Sequence, residues 1–179
     1  YHRATVELAK MGVAESSGDM DRRIDMLVSA VVETRASWTT SEARCVEWSG
    51  MFITELDLDS QRMEIPTALA KSGNIEEASD ILGVTPPKHF PSSLEWGALK
   101  SQAIFVLECS SILNKLESAI REAASEYLPS LSALVGPISA AKLLSLAGGR
   151  ERLARMPSGS LQVLGAHAAM AAHRRGAPP

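Results

Sequence analysis

The residues best suited to chemistry lie near the C-terminal end. Between Gln162 and Arg175 come a glutamine, the Gly165-Ala166 step, His167, His173 and the pair Arg174-Arg175. Free backbone amides at a helix start donate well to a phosphate oxygen. Guanidinium groups neutralise phosphates or stack on a splayed base. Read as residues alone, the same stretch is also a solvated basic helix end, which the helix dipole favours. A second basic set, Arg150, Arg152 and Arg155, falls at i, i+2 and i+5 and so shares no single tight helix face. It reads either as surface solubility or as the floor of a groove along a nucleic-acid backbone.

Other chemistries find little support. His167 and His173 are six apart, the wrong spacing for one helical face, and no third ligand is near in sequence, which argues against zinc. Gly148-Gly149 is not followed by Lys-Ser or Lys-Thr, so it is no phosphate loop of the Walker kind. Ser158 and Ser160 have no visible acid–base partner, and Glu76-Glu77 reads as helix surface. No metal, no cofactor and no enzymatic activity are expected. Cys45 and Cys109 form no metal spacing and read as reduced thiols.

Charge separates the chain into two parts. The net charge of the 179 residues is −3. From Pro129 onward, Lys142, the five arginines and the single acid Glu151 carry +5, which leaves −8 for the rest. A basic module on an acidic body suggests that one end meets phosphate and the other does not. Hydrophobic residues make up 45% and aromatics 4%, so the core must be aliphatic. With no sustained period-2 alternation, an all-α fold is expected. No apolar run approaches the ~20 residues of a membrane span. The chain starts at Tyr1 without Met and shows no export signal, so it reads as a piece of a longer cytoplasmic protein.

The elements that must position the basic module follow from breakers and periodicity. Tyr1 to Ser17 reads as a helix with Val6, Leu8 and Val13 as its contacts, ended by Ser16 to Asp19. Asp19 to Phe52 reads as one long helix, with Ile24, Val31, Trp38, Cys45 and Phe52 at intervals of seven. Met20, Leu27 and Trp48 form its companion row, interrupted at Thr34 and Ser41. Short helices are expected over 60–72 and, behind an Asn74 cap, over 75–82. A second long helix from about Ser93 to Leu128 repeats Leu99, Val106, Leu113, Ile120 and Tyr127, with Cys109, Leu116 and Ala123 beside them. The two long helices make an antiparallel hairpin, whose register is set here by partners summing to 151, such as Cys45 with Val106. The seam could be intramolecular, which is preferred, or dimeric.

Pro129 ends the second long helix. Pro137 opens the next, which stops at Gly148-Gly149. A short helix over 150–155 is broken by Pro157 and Gly159, and a last one runs from near Gly165 to before Gly176. Such short helices persist only by packing together. The expected core is Leu131, Leu134, Val135, Ile138, Leu143, Leu144, Leu146, Leu153, Leu161, Val163 and Leu164.

Several blocks resemble the Nop domain, the RNA-plus-protein binding module of box C/D ribonucleoproteins and of one spliceosomal protein. They are ALVG at 133–136, AAKLLSLAGG at 140–149, Leu153, Met156-Pro157-Ser158 and QVLGA at 162–166. EWSGMFITEL at 47–56 resembles the block that closes the first arm helix in that family, with Ile53-Thr54 where a proline is usual. Trp48 and Phe52 then read as the plug of the arm tip. The resemblance implies an all-α protein, a long antiparallel helical hairpin (the coiled-coil arm) over 1–128 with its tip at about 57–93, then a small Nop domain over 129–179. It implies an archaeal core protein of the box C/D guide particle that directs RNA 2′-O-methylation and rRNA processing.

The implied partners are a guide RNA with a kink-turn, a small kink-turn-binding protein, and a second copy through the arm. Fibrillarin would dock only through an N-terminal domain absent from this sequence. The implied RNA contacts are Gln162, Gly165, Ala166, His167, His173, Arg174 and Arg175, with Arg150, Arg152 and Arg155 as further contacts to RNA or protein. The family usually continues its GA step with Glu-Lys and then Phe-Arg; here His167 and Ala168 follow, so one expected cation is missing. Set against this reading are a helical protein-binding scaffold without direct RNA contact, suggested by the net negative charge, and an enzyme, suggested only by the two histidines.

Overall fold

The computed structural model describes residues 2–165. Nine helices cover most of them: α1 (His2–Ser16), α2 (Met20–Phe52), α3 (Ile65–Lys71), α4 (Ile75–Leu82), α5 (Ser93–Tyr127), α6 (Pro129–Val135), α7 (Pro137–Ala147), α8 (Arg150–Ala154) and α9 (Ser158–Gln162). Among the described residues there is no strand, and the fold is all-α. No single helix among them is long and apolar enough to cross a membrane.

Local chemistry sets most of the ends. Asp19 Oδ1 accepts the Asp21 N–H at 2.9 Å and so caps α2. Asn74 Oδ1 accepts the Glu77 N–H at 2.9 Å and caps α4, which Gly83 closes at φ 70°. Ser92 and Glu95 bond reciprocally, 3.3 Å and 2.8 Å, in a capping box that starts α5. Three expectations shift. The helix expected over 60–72 begins only at Ile65, with Pro66 in its first turn. A short helix, α6, follows Pro129. α8 ends before Pro157 as expected, but Gly159 breaks nothing: it lies inside α9, which starts behind Pro157.

The chain divides into two compact units, residues 31–115 and residues 1–30 with 116–179. In the first of these, Ile53, Ile65, Leu69 and Leu99 are fully buried, and Trp48 and Phe52 pack against them only partly buried. Ile53, of the Ile53-Thr54 pair, is thus buried deeper than the expected plug residues Trp48 and Phe52. Burying each such side chain stabilises by about 1.5–3 kcal/mol. Lys100 Nζ donates to Ser72 O at 2.7 Å and ties α5 to the end of α3.

Of the expected seam rows, Ile24, Val31 and Cys45 on α2 and Leu99, Val106, Leu113 and Ile120 on α5 are buried, whereas Trp38, Phe52 and Tyr127 are only half-buried. The companion row is not the one expected. Met20, Leu27 and Trp48 are only half-buried, whereas Val28, Glu42 and Ser49 are buried. On α5 Cys109 is buried as expected, but Ala103 and Ala124 are buried deeper than Leu116 and Ala123. The 4–3 alternation selects rows that carry small or polar residues, so apolarity alone points one residue away. At this contact the register differs by about two turns. Gln102 Nε2 donates to Ser41 O at 3.2 Å, while a sum of 151 would put Ser110 there, about 12 Å along the helix.

Glu42 is 4% exposed and takes its charge partner across the fold, with Oε2 accepting from Arg62 Nη2 at 2.6 Å. Beside it, Cys45 is fully buried and its thiol is pushed up to about 11, by burial first and the Glu42 charge second, with Ser49 opposing. Less than about one part in a hundred of such a thiol is thiolate at pH 8. Native protein should therefore label slowly at Cys45 with a maleimide, and fast after urea. Native labelling at the rate of a free thiol would show the seam to be open there.

In the other unit α1 buries nothing: Leu8 and Val13 are both 69% exposed. Val6 and Leu8 point about 200° apart on a helix, so the expected contacts form no stripe. Of the expected small core only Leu144 and Leu153 are buried. α7 buries Ala140, Ala141, Leu144 and Ala147, and α8 buries Leu153. Leu134, Val135, Leu146 and Val163 are exposed, and Leu131, Ile138, Leu143, Leu161 and Leu164 are half-buried. Alanines let backbones approach closely, and at 100° per residue the larger side chains between them turn outward.

Candidate nucleic-acid interface

The basic module is built on a turn of two glycines. α7 ends at Gly148, whose left-handed backbone (φ 78°) lets its N–H bond back to Leu144 O and Ser145 O. Gly149 follows at φ 127°, ψ 162°, a region open in practice only to glycine, and it is buried. The turn joins α7 to α8. It rests on the start of α2: Asp21 Oδ2 accepts the Arg150 N–H at 3.0 Å, and Ser145 Oγ donates to Asp25 Oδ1. A Cβ on Gly149 would lie 2.7 Å from Asp21 Oδ2, so the approach itself requires glycine.

The three arginines of this segment separate. Arg150 lies over the Tyr127 ring, 4.2 Å from its centroid, a cation–π contact at the end of α5. Burial pushes the Tyr127 hydroxyl above its ordinary value, Asp21 adds to this, and the Arg150 charge opposes it. Arg152 and Arg155 instead line an open groove of about 540 Å³, with Leu146, Met156, Pro157, Ser160, Val163 and Leu164. Arg155 also pairs with Glu151 at 2.6 Å, but both side chains are 78% exposed and the pair is worth little. Both guanidiniums thus remain available to a polyanion. The expected groove floor holds two of the three; Arg150 is engaged elsewhere.

Gln162 is exposed at the end of α9. Gly165 is exposed with φ 83°, and a Cβ there would meet Leu146 Cδ1 at 2.9 Å, which explains the glycine of the GA step. Ala166, His167, His173, Arg174 and Arg175 lie outside the described residues. Sequence reasoning missed Asp21, Asp25 and Tyr127, which support the module from distant parts of the chain. No local pattern could have flagged an acid that bonds a residue 129 positions away.

A family model, the Nop domain described as "snoRNA binding domain, fibrillarin", matches residues 54–179. The chain belongs to the Nop family. An uncharacterised NOP5 family protein of Methanocaldococcus jannaschii is 27% identical over 97% of this chain and 46% of its own length. Nucleolar protein 58 of Scheffersomyces stipitis is 27% identical over 87% of the chain and 33% of its own. Human nucleolar protein 56 is 33% identical over 44% of the chain and 13% of its own. The chain thus spans less than half the length of these Nop relatives. The matched Nop segment contains the glycine turn, all three arginines of α8 and its C-cap, and the QVLGA block.

Proposed function

We propose that this chain is a non-catalytic RNA-binding scaffold of a box C/D guide ribonucleoprotein, and that it grips a kink-turn RNA jointly with a small kink-turn-binding protein. The observation that carries the reading is the open groove holding the Arg152 and Arg155 guanidiniums, inside the segment that matches the snoRNA-binding family. Gln162, Gly165, Ala166, His167, His173, Arg174 and Arg175 complete the contact surface in this reading. Residues 1–128 serve as the coiled-coil arm that meets a second copy, and 129–179 as the RNA and protein contact. RNA 2′-O-methylation belongs to fibrillarin, docked through a separate N-terminal domain. In this reading the setting is archaeal and cytoplasmic.

A gel shift with a kink-turn RNA, with and without the small protein, tests the reading. A supershift only in the ternary mixture is expected, since exposed Leu146 and Val163 flank the arginines and suit a protein neighbour. A complex with the small protein but none with RNA would favour the protein-binding scaffold instead. Arg174→Ala with Arg175→Ala should weaken the ternary complex and flatten its salt dependence. The log–log slope should fall by about 0.7–0.9 per lost phosphate contact. An unchanged slope would mean that neither arginine touches phosphate.

A further inference from the structure

α8 has five residues, too few to be helical alone, and its N-cap is a glycine without a side chain. Such a helix start leaves its first N–H groups unpaired unless something else accepts them. Here the acceptor comes from another helix: Asp21 Oδ2, in the first turn of α2, takes the Arg150 N–H at 3.0 Å. Asp21 is not needed as the cap of its own helix, because Asp19 already caps α2, and it also stands beside the Tyr127 hydroxyl. Gly149 lies against the same oxygen, and one turn along α2 Asp25 holds Ser145 at the end of α7. Two carboxylates on one face of α2 therefore grip both sides of the glycine turn.

We propose that Asp21 is a positioning residue, an N-cap supplied to α8 from α2, which holds Arg152 and Arg155 at their groove for RNA. The proposal rests on the reading that those two arginines meet phosphate. It reverses what charge alone predicts. An acid beside a polyanion site repels the ligand, so its removal by charge alone would tighten binding. Capping predicts the opposite for a side chain that cannot accept a hydrogen bond, and no loss for one that can. Asparagine is as good a cap as aspartate, and alanine is among the poorest.

The experiment compares wild type, Asp21→Asn, Asp21→Ala and Arg152→Ala with Arg155→Ala, each in the full 179-residue chain. Amide hydrogen exchange is read over 150–154, with 31–115 as an internal control, and affinity is read for kink-turn RNA with the small protein. Asp21→Ala should speed exchange over 150–154 and weaken RNA binding, each by about fivefold, the scale of a lost cap. Asp21→Asn should rescue both to within about twofold. Equal behaviour of the two variants, or tighter binding by Asp21→Ala, overturns the proposal. If Asp21→Ala does not fold, Asp21→Asn still decides, because lost protection over 150–154 in that variant would show charge rather than acceptance at work. If the double arginine variant binds RNA like wild type, the RNA role of α8 falls, while the exchange data judge the cap separately.

Discussion

Leu113→Asp is expected to unfold residues 31–115. Leu113 is 6% exposed in the α5 seam row. Truncating such a side chain costs about 2–5 kcal/mol through lost burial and the space left behind. The carboxylate that replaces it must also shed water, which adds several kcal/mol when no partner compensates. The sum approaches the ~5–15 kcal/mol that holds a domain together. The loss should be pH-dependent. A carboxyl buried without a partner has a folded pKa above its unfolded value. The penalty is therefore full above the folded pKa and shrinks as pH falls toward the unfolded one. Urea melts followed by circular dichroism measure this, with Leu113→Ala separating the cavity from the charge. A midpoint for Leu113→Asp equal to that of Leu113→Ala would show that the side chain reaches water, and the seam as drawn would be wrong.

Gly149→Ala should cost about 2–4 kcal/mol in the unit that carries the arginines. Two causes add. A φ of 127° is a conformation that side chains rarely adopt, worth about 1–3 kcal/mol. The new Cβ would also stand 2.7 Å from Asp21 Oδ2, so the carboxylate must retreat and α8 loses its cap, worth about 1 kcal/mol more. Gly148→Ala is the matched control. Its Cβ would meet only Arg152 Nη1 at 3.6 Å, an ordinary contact, and its φ of 78° is the common left-handed one, so about 1–2 kcal/mol is expected. Thermal melts rank the two. Equal losses would mean that the contact with Asp21 is slack. RNA affinity should fall for Gly149→Ala even where the protein stays folded, because the arginines of α8 are then no longer fixed.

Much of this protein can be read from short stretches. Asn74, Pro137, Gly148 and Gly149 marked helix ends because capping and positive φ act within a few residues. The seam rows beginning at Ile24 and Leu99 showed in the heptad spacing. The glycine-rich turn and the arginines after it marked the basic module before any coordinates, as did the Nop-like blocks. Which further residues are buried was decided only by packing. Val28, Glu42 and Ser49 lie inward while the more apolar Met20, Leu27 and Trp48 stay half outside, because the facing helix, not the local pattern, sets the buried row. Arg150, two residues before Arg152 in the sequence, turns to Tyr127, and Arg152 and Arg155 turn to the groove. The acid that steadies them is 129 positions from Arg150. A cap within a helix is written beside it, whereas a cap lent by another helix exists only once the chain has brought the two together.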